Sequence, residues 1–481
     1  MKDVAVIGAG LAGLSAAWRM RHWDSVILES DARVGGRIHS ERRGRYWLNW
    51  GGHVYAGPGS STDHLLNEVG VTAVEVPGSL GAISMNGKFI SDSFFASYPF
   101  RLPMSMKARA ATVTMGMKIM SSLLLKYVPM VRIRPGESGA SRQQRIYDFD
   151  NDRTFRDFIG YGLPEDAEAL FTTTVVRATG AMDEIASGFG IGYFNLVLGL
   201  GQGLNRGIVG GPSTLTGSIA AALGDRIELG ADVQEVVQKK GSVLVRYRQG
   251  GVDKEVEART AILATTSSVA KKVGVNLPAD LRDALGQIKY GPHVVTAFLT
   301  NETGPQKWDN VYAIAAPKKS FAIATNQASI VRGTEKERQP GGSFMVFSPG
   351  PLGTALLDKS EEEIGETHLR DLDDILGGKI ADHVVETKTI KLVEGSPYCF
   401  PGRGKIQPTL LRGADRVFLA GDYLGTLYTE TSITSGFQAA QEAASLLQTD
   451  RDVALRSVSI LSAPAAPEPD ETKGSGAASI R

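Results

Sequence analysis

Val4-Ala5-Val6-Ile7 leads directly into Gly8-Ala9-Gly10-Leu11-Ala12-Gly13, and this junction decides the fold. The apolar run reads as a short buried strand, and Leu14, Ala17 and Trp18 recur at helical spacing beyond the glycines. Strand, glycine turn and helix in that order make a dinucleotide-binding fingerprint. Gly8 permits the tight turn, Gly10 lets a pyrophosphate approach the backbone, and Gly13 lets helix and strand pack closely. The helix begins at Leu11-Ala12, where open N–H groups and the positive dipole end can face phosphates. A second strand, Val26-Ile27-Leu28, ends in Glu29-Ser30, and a carboxylate about twenty residues past the first glycine can hold a ribose hydroxyl. That acid disfavours a 2′-phosphate, so NADP is the poorest fit.

Composition narrows the class. The 481 residues exceed one core, so two or three domains are expected. Hydrophobic residues make up 42% and charged residues 22%, as in an ordinary globular protein. Fifty-two basic residues balance fifty-two acidic ones, so no global field favours nucleic acid. Arg37, Arg42, Arg43 and Arg45 form a local cluster; Arg37 is the candidate phosphate contact, and the others read as a solvated face. The one cysteine, Cys399, excludes internal disulfides and a cysteine-based metal site, which fits a cytoplasmic setting. No metal is expected. The chain opens on the glycine-motif strand, not on a secretory signal.

Residues 110–131 raise a membrane question. They are methionine-rich, carry Leu123-Leu124-Leu125, and are flanked by Arg109 and Arg132. Lys118 and Lys126 interrupt the run and Pro129 is expected to end a helix, which argues against a span. Two readings stay open: a helix packed inside a substrate domain, or a surface that dips into lipid or admits an apolar substrate. The tail from Ser462 is expected to be disordered.

Beyond the first unit come Gly35-Gly36-Arg37 and Gly51-Gly52-His53, then a largely helical texture over residues 80–200. Strand character returns from Arg226. Val243-Leu244-Val245-Arg246-Tyr247 alternates, Gln249-Gly250-Gly251 turns, and Thr260-Ala261-Ile262-Leu263-Ala264-Thr265 reads as a buried parallel strand. Residues 280–390 form a second mixed stretch. Val417-Phe418-Leu419-Ala420-Gly421-Asp422 is one more buried strand and glycine turn, followed by an expected helix over residues 436–447. The dinucleotide fold is therefore read as assembled from three separated segments.

With Gly8 to Gly13, Glu29, Gly35-Gly36-Arg37, Gly51-Gly52, the strand around Val233, Gly421-Asp422 and Ser435-Gly436 in place, the chain resembles the flavin-containing amine oxidase superfamily, which includes protoporphyrinogen oxidases and carotenoid desaturases. The resemblance spans the chain to about residue 450. It implies an α/β, p-hydroxybenzoate-hydroxylase-like fold: a Rossmann-like FAD-binding domain from residues 1–80, 205–275 and 391–450, and a mixed α/β substrate domain from 81–204 and 276–390. It implies non-covalent FAD, with Arg37 near the pyrophosphate, the Val233 backbone on adenine, and Asp422 near the ribityl phosphate. Ser432, Ile433 and Ser435 join the cofactor set. If Ser435-Gly436 starts the last helix, its N-terminus can aim at the flavin edge that becomes negative on reduction.

Departures from the family pattern matter for chemistry. The position of the family's flavin-facing lysine falls on Val295, and its later cage tyrosine falls near Thr431 or Ile433, with Tyr428 close by. Cys399 lies downstream of the family's covalent attachment point, near Gly395. The expected activity is hydride removal from an amine C–H or a saturated C–C or C–N bond, with oxygen or another acceptor reoxidising the flavin. Alternatives are a protoporphyrinogen-oxidase-like or desaturase-like enzyme on an apolar substrate, an NAD-dependent dehydrogenase, and a non-catalytic prenyl-protein chaperone of the same fold. Such a site needs no nucleophile, and no Ser-His-Asp or metal-ligand pattern appears among the seven histidines. His53, Tyr398 and Tyr428 are the candidate substrate walls. The expected partner is a small molecule, with peripheral membrane contact left open and the oligomeric state unread.

Overall fold

A computed structural model describes residues 1–461 except 77–80, 93, 200–202 and 336; the tail from Ser462 lies outside the described residues. The opening motif folds as read, with β1 (Lys2–Ile7), α1 (Leu11–Arg19) and β2 (Ser25–Glu29). The later strands are β3 (Ile227–Leu229), β4 (Asp232–Lys239), β5 (Ser242–Gln249) and β6 (Val252–Leu263). They join in the order β3-β2-β1-β6-β5-β4, and the Val417–Leu419 strand lies beside β6.

β6 is one strand with two environments. Its first half is exposed and runs antiparallel to β5. Gly250 and Gly251 join the two at φ 58° and 81°, the paired left-handed turn that suits the twist of a hairpin. Its second half is buried between β1 and Val417–Leu419, parallel to both. The register sets Ile7, Leu263 and Leu419 side by side, so the loops after all three strands emerge at one sheet edge. Ligands of open α/β sheets bind at that edge, beyond the carboxyl ends of the strands.

A second seven-stranded sheet contains β7 (Lys289–Thr300), which pairs antiparallel with the edge strand β8 (Val384–Tyr398) and with Gly342–Pro349. The sheet continues through Ile323–Asn326, Ala313–Ala315, Ala82–Met85 and Lys88–Ile90. Residues 95–197 are mostly helical.

Two expectations are corrected. Pro129 does not end its helix: α2 (Met106–Ser122) passes through a π-helical turn, Leu123–Tyr127, into Val128–Val131. The widened turn resets the hydrogen-bond ladder just before the proline. Pro129 then occupies the first turn of the next piece, where it removes no needed N–H. Among the described residues no helix is long and apolar enough to cross a membrane. The last helix, α3 (Tyr428–Leu461), starts well before Ser435-Gly436. A local cap and a tertiary contact set that start: Thr431 Oγ1 accepts from the Leu427 N–H at 3.0 Å, and Glu430 accepts from the distant Ser61 and Thr62 N–H groups at 2.8 and 3.0 Å. Gly436 marks a helix crossing instead, since a Cβ there would lie 2.4 Å from the Ala12 carbonyl of α1.

Candidate active site

Each glycine of the opening loop has its own physical reason. Gly8 sits at φ 98°, and a Cβ on it would lie 2.7 Å from the Ala264 carbonyl. A Cβ on Gly13 would lie 1.9 Å from the Gly8 carbonyl, so only glycine lets α1 pack there. Gly10 has an ordinary φ of −71° and nothing within 4 Å of a built Cβ. Its lack of a side chain leaves open space. No side chain caps α1, so the leading N–H groups at Leu11, Ala12 and Gly13 border that space ready for an anion.

Glu29 is buried and turns back on the loop. Its Oε2 accepts from the Ala9 N–H at 2.7 Å and its Oε1 from the Asp31 N–H at 2.9 Å. The Ser30 hydroxyl also donates to it, at 3.2 Å. A carboxylate offers roughly four acceptor positions, so capacity remains for a ribose hydroxyl. Val233 follows one step away, because the Ala231 N–H donates to the Glu29 carbonyl at 2.7 Å and β4 starts at Asp232.

Gly35 bridges to the loop through its N–H on the Ala9 carbonyl at 2.8 Å, and a Cβ on Gly36 would lie 3.4 Å from Gly10 Cα. Arg37 therefore leaves from directly beside Gly10. Its guanidinium donates to Asp422 Oδ1 at 2.9 Å, lies 2.8 Å from Oδ2, and donates to the Gly395 carbonyl at 3.1 Å. Burial opposes its charge most strongly, but the Asp422 carboxylate, together with Tyr290 and Glu394, holds its pKa above the ordinary value. The neighbouring arginines serve elsewhere: Arg43 pairs with Glu386 and Arg45 with Glu335, while Arg42 donates to the Gly44 carbonyl.

Gly51 and Gly52 pack on the Arg37 backbone, and Gly52 also abuts Thr429 of α3. The Gly421 N–H donates to Ser435 Oγ at 2.9 Å, tying the late glycine turn to α3. Ser432 bonds its own helix at the Tyr428 carbonyl, and the Ile433 side chain is fully buried in the core with α1. The opening glycines and the Gly421-Asp422 turn thus border one crevice, which Arg37 crosses.

Beyond Asp422 the walls become aromatic. A small cavity is lined by Tyr147, Phe189, Tyr398, Cys399, Asp422 and Tyr428, with the buried Arg403 guanidinium also in its wall. A second shares Tyr147, Phe189 and Cys399 and adds Tyr127. Tyr428 adopts φ 44°, and its buried hydroxyl has no hydrogen-bond partner. Burial pushes the Tyr398 hydroxyl and the Cys399 thiol up to about 12, so both stay protonated at neutral pH.

His53 lies apart from these cavities. Its ring tilts against Tyr312 and Phe347 at centroid distances of 6.1 and 5.9 Å, and its Nδ1 lies 3.2 Å from the Gly51 carbonyl. Burial lowers it to about 4, so it is neutral. Val295 packs with Leu48, Trp50 and Met345. Among the described residues no cluster suited to a metal ion occurs.

Two residues escaped the sequence reading. His293 stacks on the same Phe347 at 5.8 Å and reaches Thr179 Oγ1 at 3.2 Å; burial lowers it to about 4. Thr179 sits at φ 78°, a strain of about 1–3 kcal/mol for a β-branched residue. Arg177 has a buried Nε without a hydrogen-bond partner, and its Cζ lies 5.8 Å from the Tyr193 ring. Its charge acts on both His53 and Tyr428. Nothing local marked either His293, which lies within β7, or Arg177. His368 shows the contrast: Thr296 and Ser348 satisfy both of its nitrogens at 2.7 and 3.0 Å, which makes it a core residue.

Solved structures share this architecture. Wild-type putrescine oxidase bound to putrescine matches with a TM-score of 0.72 at 19% identity, covering 92% of this chain and 99% of that one. Cyclohexylamine oxidase from Brevibacterium oxydans IH-35A matches at 0.70 and 16% identity, covering 93% and 99%. A protein described as a protoporphyrinogen oxidase from Exiguobacterium sp. 255-15 matches at 0.65 and 15%, covering 92% and 98%. These likenesses establish the fold. Coproporphyrinogen III oxidase of Staphylococcus aureus (strain NCTC 8325 / PS 47) is 35% identical over 74 residues, a match spanning 15% of this chain and 16% of that relative. The flavin-containing amine oxidoreductase family model matches residues 11–447, from the first residue of α1 to well inside α3. A chain matched from the start of α1 through its returning strand belongs to the flavin-containing amine oxidoreductases and is an oxidoreductase enzyme.

Proposed function

We propose that this enzyme oxidises a largely apolar substrate that carries no ammonium group by removing hydride from a C–H bond onto a non-covalently held FAD. The residues fit that cofactor: the space at Gly10 lies beside an uncapped helix N-terminus, and Glu29 retains acceptor capacity for a ribose. Arg37 supplies positive charge next to the same loop, and the first turn of α3 lies beside Gly52. FAD, when bound, supplies a two-electron acceptor, while the protein orients substrate and excludes water. The protonated thiol of buried Cys399 is a poor nucleophile, which supports non-covalent binding.

The observation that carries the substrate class is the state of Asp422. It is a carboxylate in the wall of the aromatic cavity, and Arg37 engages both its oxygens. An ammonium substrate would find no unpaired carboxylate among those wall residues, and a buried cation without a partner is costly. The aromatic walls suit an apolar body. Anaerobic mixing with a primary amine, a porphyrinogen and an apolar polyene tests this. Bleaching of the flavin by the porphyrinogen or the polyene is expected; bleaching by the amine alone overturns the substrate class. Protein purified without flavin would overturn the proposal entirely. Acid denaturation is expected to release free FAD, and flavin left on the peptide would contradict non-covalent binding.

A further inference from the structure

We propose that the outer face of α2 and the turn after it docks on an anionic lipid bilayer. From residue 93 to residue 136 the sequence has no acidic side chain and seven basic ones, within a chain of zero net charge. α2 shows two apolar faces. Ala108, Thr112, Ile119 and Leu123 point into the protein and are buried. On the opposite side Met106, Met117, Leu124 and Leu125 are 49–77% exposed, joined by Phe100 and Ile133 at 65 and 73%. Met106, Ala110, Met117 and Leu124 recur at helical spacing, forming one outward stripe. Lys107 and Lys118 are eleven residues apart, about three helical turns, so both run along one side of the stripe.

Water offers this stripe nothing, and a protein seldom leaves so many large apolar side chains bare together. Charge selects the occupant. A bilayer with anionic headgroups satisfies Lys107, while Lys118, whose Nζ donates to the Phe158 carbonyl, adds its positive charge to the same side, and the acyl boundary takes the methionines and leucines, the arrangement of an interfacial helix. Of the bordering carboxylates, Asp92 takes Arg101 and leaves six basic side chains in the segment, while Glu137 and Asp150 are held by Arg145 and Arg153 outside it. Leu124 and Leu125 lie on the π-helical turn whose last residue, Tyr127, lines the inner cavity with Cys399. The docked face would thus lie two residues from a cavity wall. Docking is independent of the substrate assignment.

The holoprotein is tested by co-sedimentation with phosphatidylcholine vesicles with and without about 30% phosphatidylglycerol. Binding is expected to need the anionic lipid and to weaken with salt. Leu125→Glu should lower partitioning at least about tenfold, and Lys107→Glu and Lys118→Glu about fivefold each. Val252→Glu, in the exposed β5–β6 hairpin, should bind as the parent does, and every variant should retain its flavin. Absence of binding to anionic vesicles overturns the proposal, as does unchanged binding of Leu125→Glu. A dimer in sedimentation velocity that Leu125→Glu dissolves, with no vesicle binding, would assign the face to a second copy instead.

Discussion

At one end of the crevice the backbone forms the surface: Gly8, Gly10 and Gly13 belong to a single strand-turn-helix, and their neighbours are carbonyls and N–H groups. At the other end side chains form it. Tyr147, the pair Tyr398-Cys399, and Asp422 with Tyr428 arrive from three separate stretches of chain, which meet only when the fold assembles. A backbone surface binds what every member of a fold class shares. A side-chain surface can change its ligand without disturbing the sheet beneath it.

The largest test of this contrast lies within the glycine loop. Gly13→Val should yield no folded protein, because its Cβ would overlap the Gly8 carbonyl. Gly10→Val should fold, melting within a few degrees of the parent, because open space surrounds it. Its flavin affinity should fall by about 3 kcal/mol or more, roughly a hundredfold. A Gly10→Val protein that stays yellow would remove the pyrophosphate from this loop. Next in size, Arg37→Met leaves the Asp422 carboxylate buried without its cation and should cost about 2–3 kcal/mol in urea unfolding. Arg37→Met with Asp422→Asn should cost less than the sum of the two single changes, since the pair is coupled.

pH probes the interior between the two ends. His53 and His293 titrate at about 4 in the folded protein and near 6.5 unfolded. The unfolded chain therefore binds more protons between those values, and stability is full above the upper one and falls as pH drops through the window. The slope should be about 1 kcal/mol per pH unit for each histidine, and His53→Gln and His293→Gln should each flatten it. Unfolding curves between pH 7 and pH 4.5 measure this directly. The smallest effect is expected at Tyr428. Its hydroxyl has no partner, so Tyr428→Phe should change stability by less than about 0.5 kcal/mol while altering turnover if the hydroxyl meets substrate. A loss above about 1 kcal/mol would reveal a partner for the hydroxyl.

Much of the nucleotide end was legible because its chemistry is local. The turn at Gly8, the crowding at Gly13 and the acid at Glu29 lie within one βαβ unit and follow from spacing alone. Reading failed where a distant partner sets the local structure. Gly436 resembled a helix start, yet it is glycine because α1 crosses there, and α3 starts earlier because Glu430 bonds the distant Ser61 and Thr62 N–H groups. Pro129 resembled a stop until the preceding π-helical turn accommodated it. Arg177 and His293 carried no motif, because their character comes from burial.

The sequence by itself determined a glycine turn between a buried strand and a helix, and one sheet formed by strands far apart in the chain. Period and spacing encode backbone conformation, and backbone conformation is nearly all that such a turn requires. Only the tertiary structure decided that Arg37 closes on Asp422, that His53 stands apart from Tyr398 and Tyr428, and that one helix keeps an apolar face to the outside. Those outcomes depend on which side chains lose water together, and burial is a property of the assembled fold.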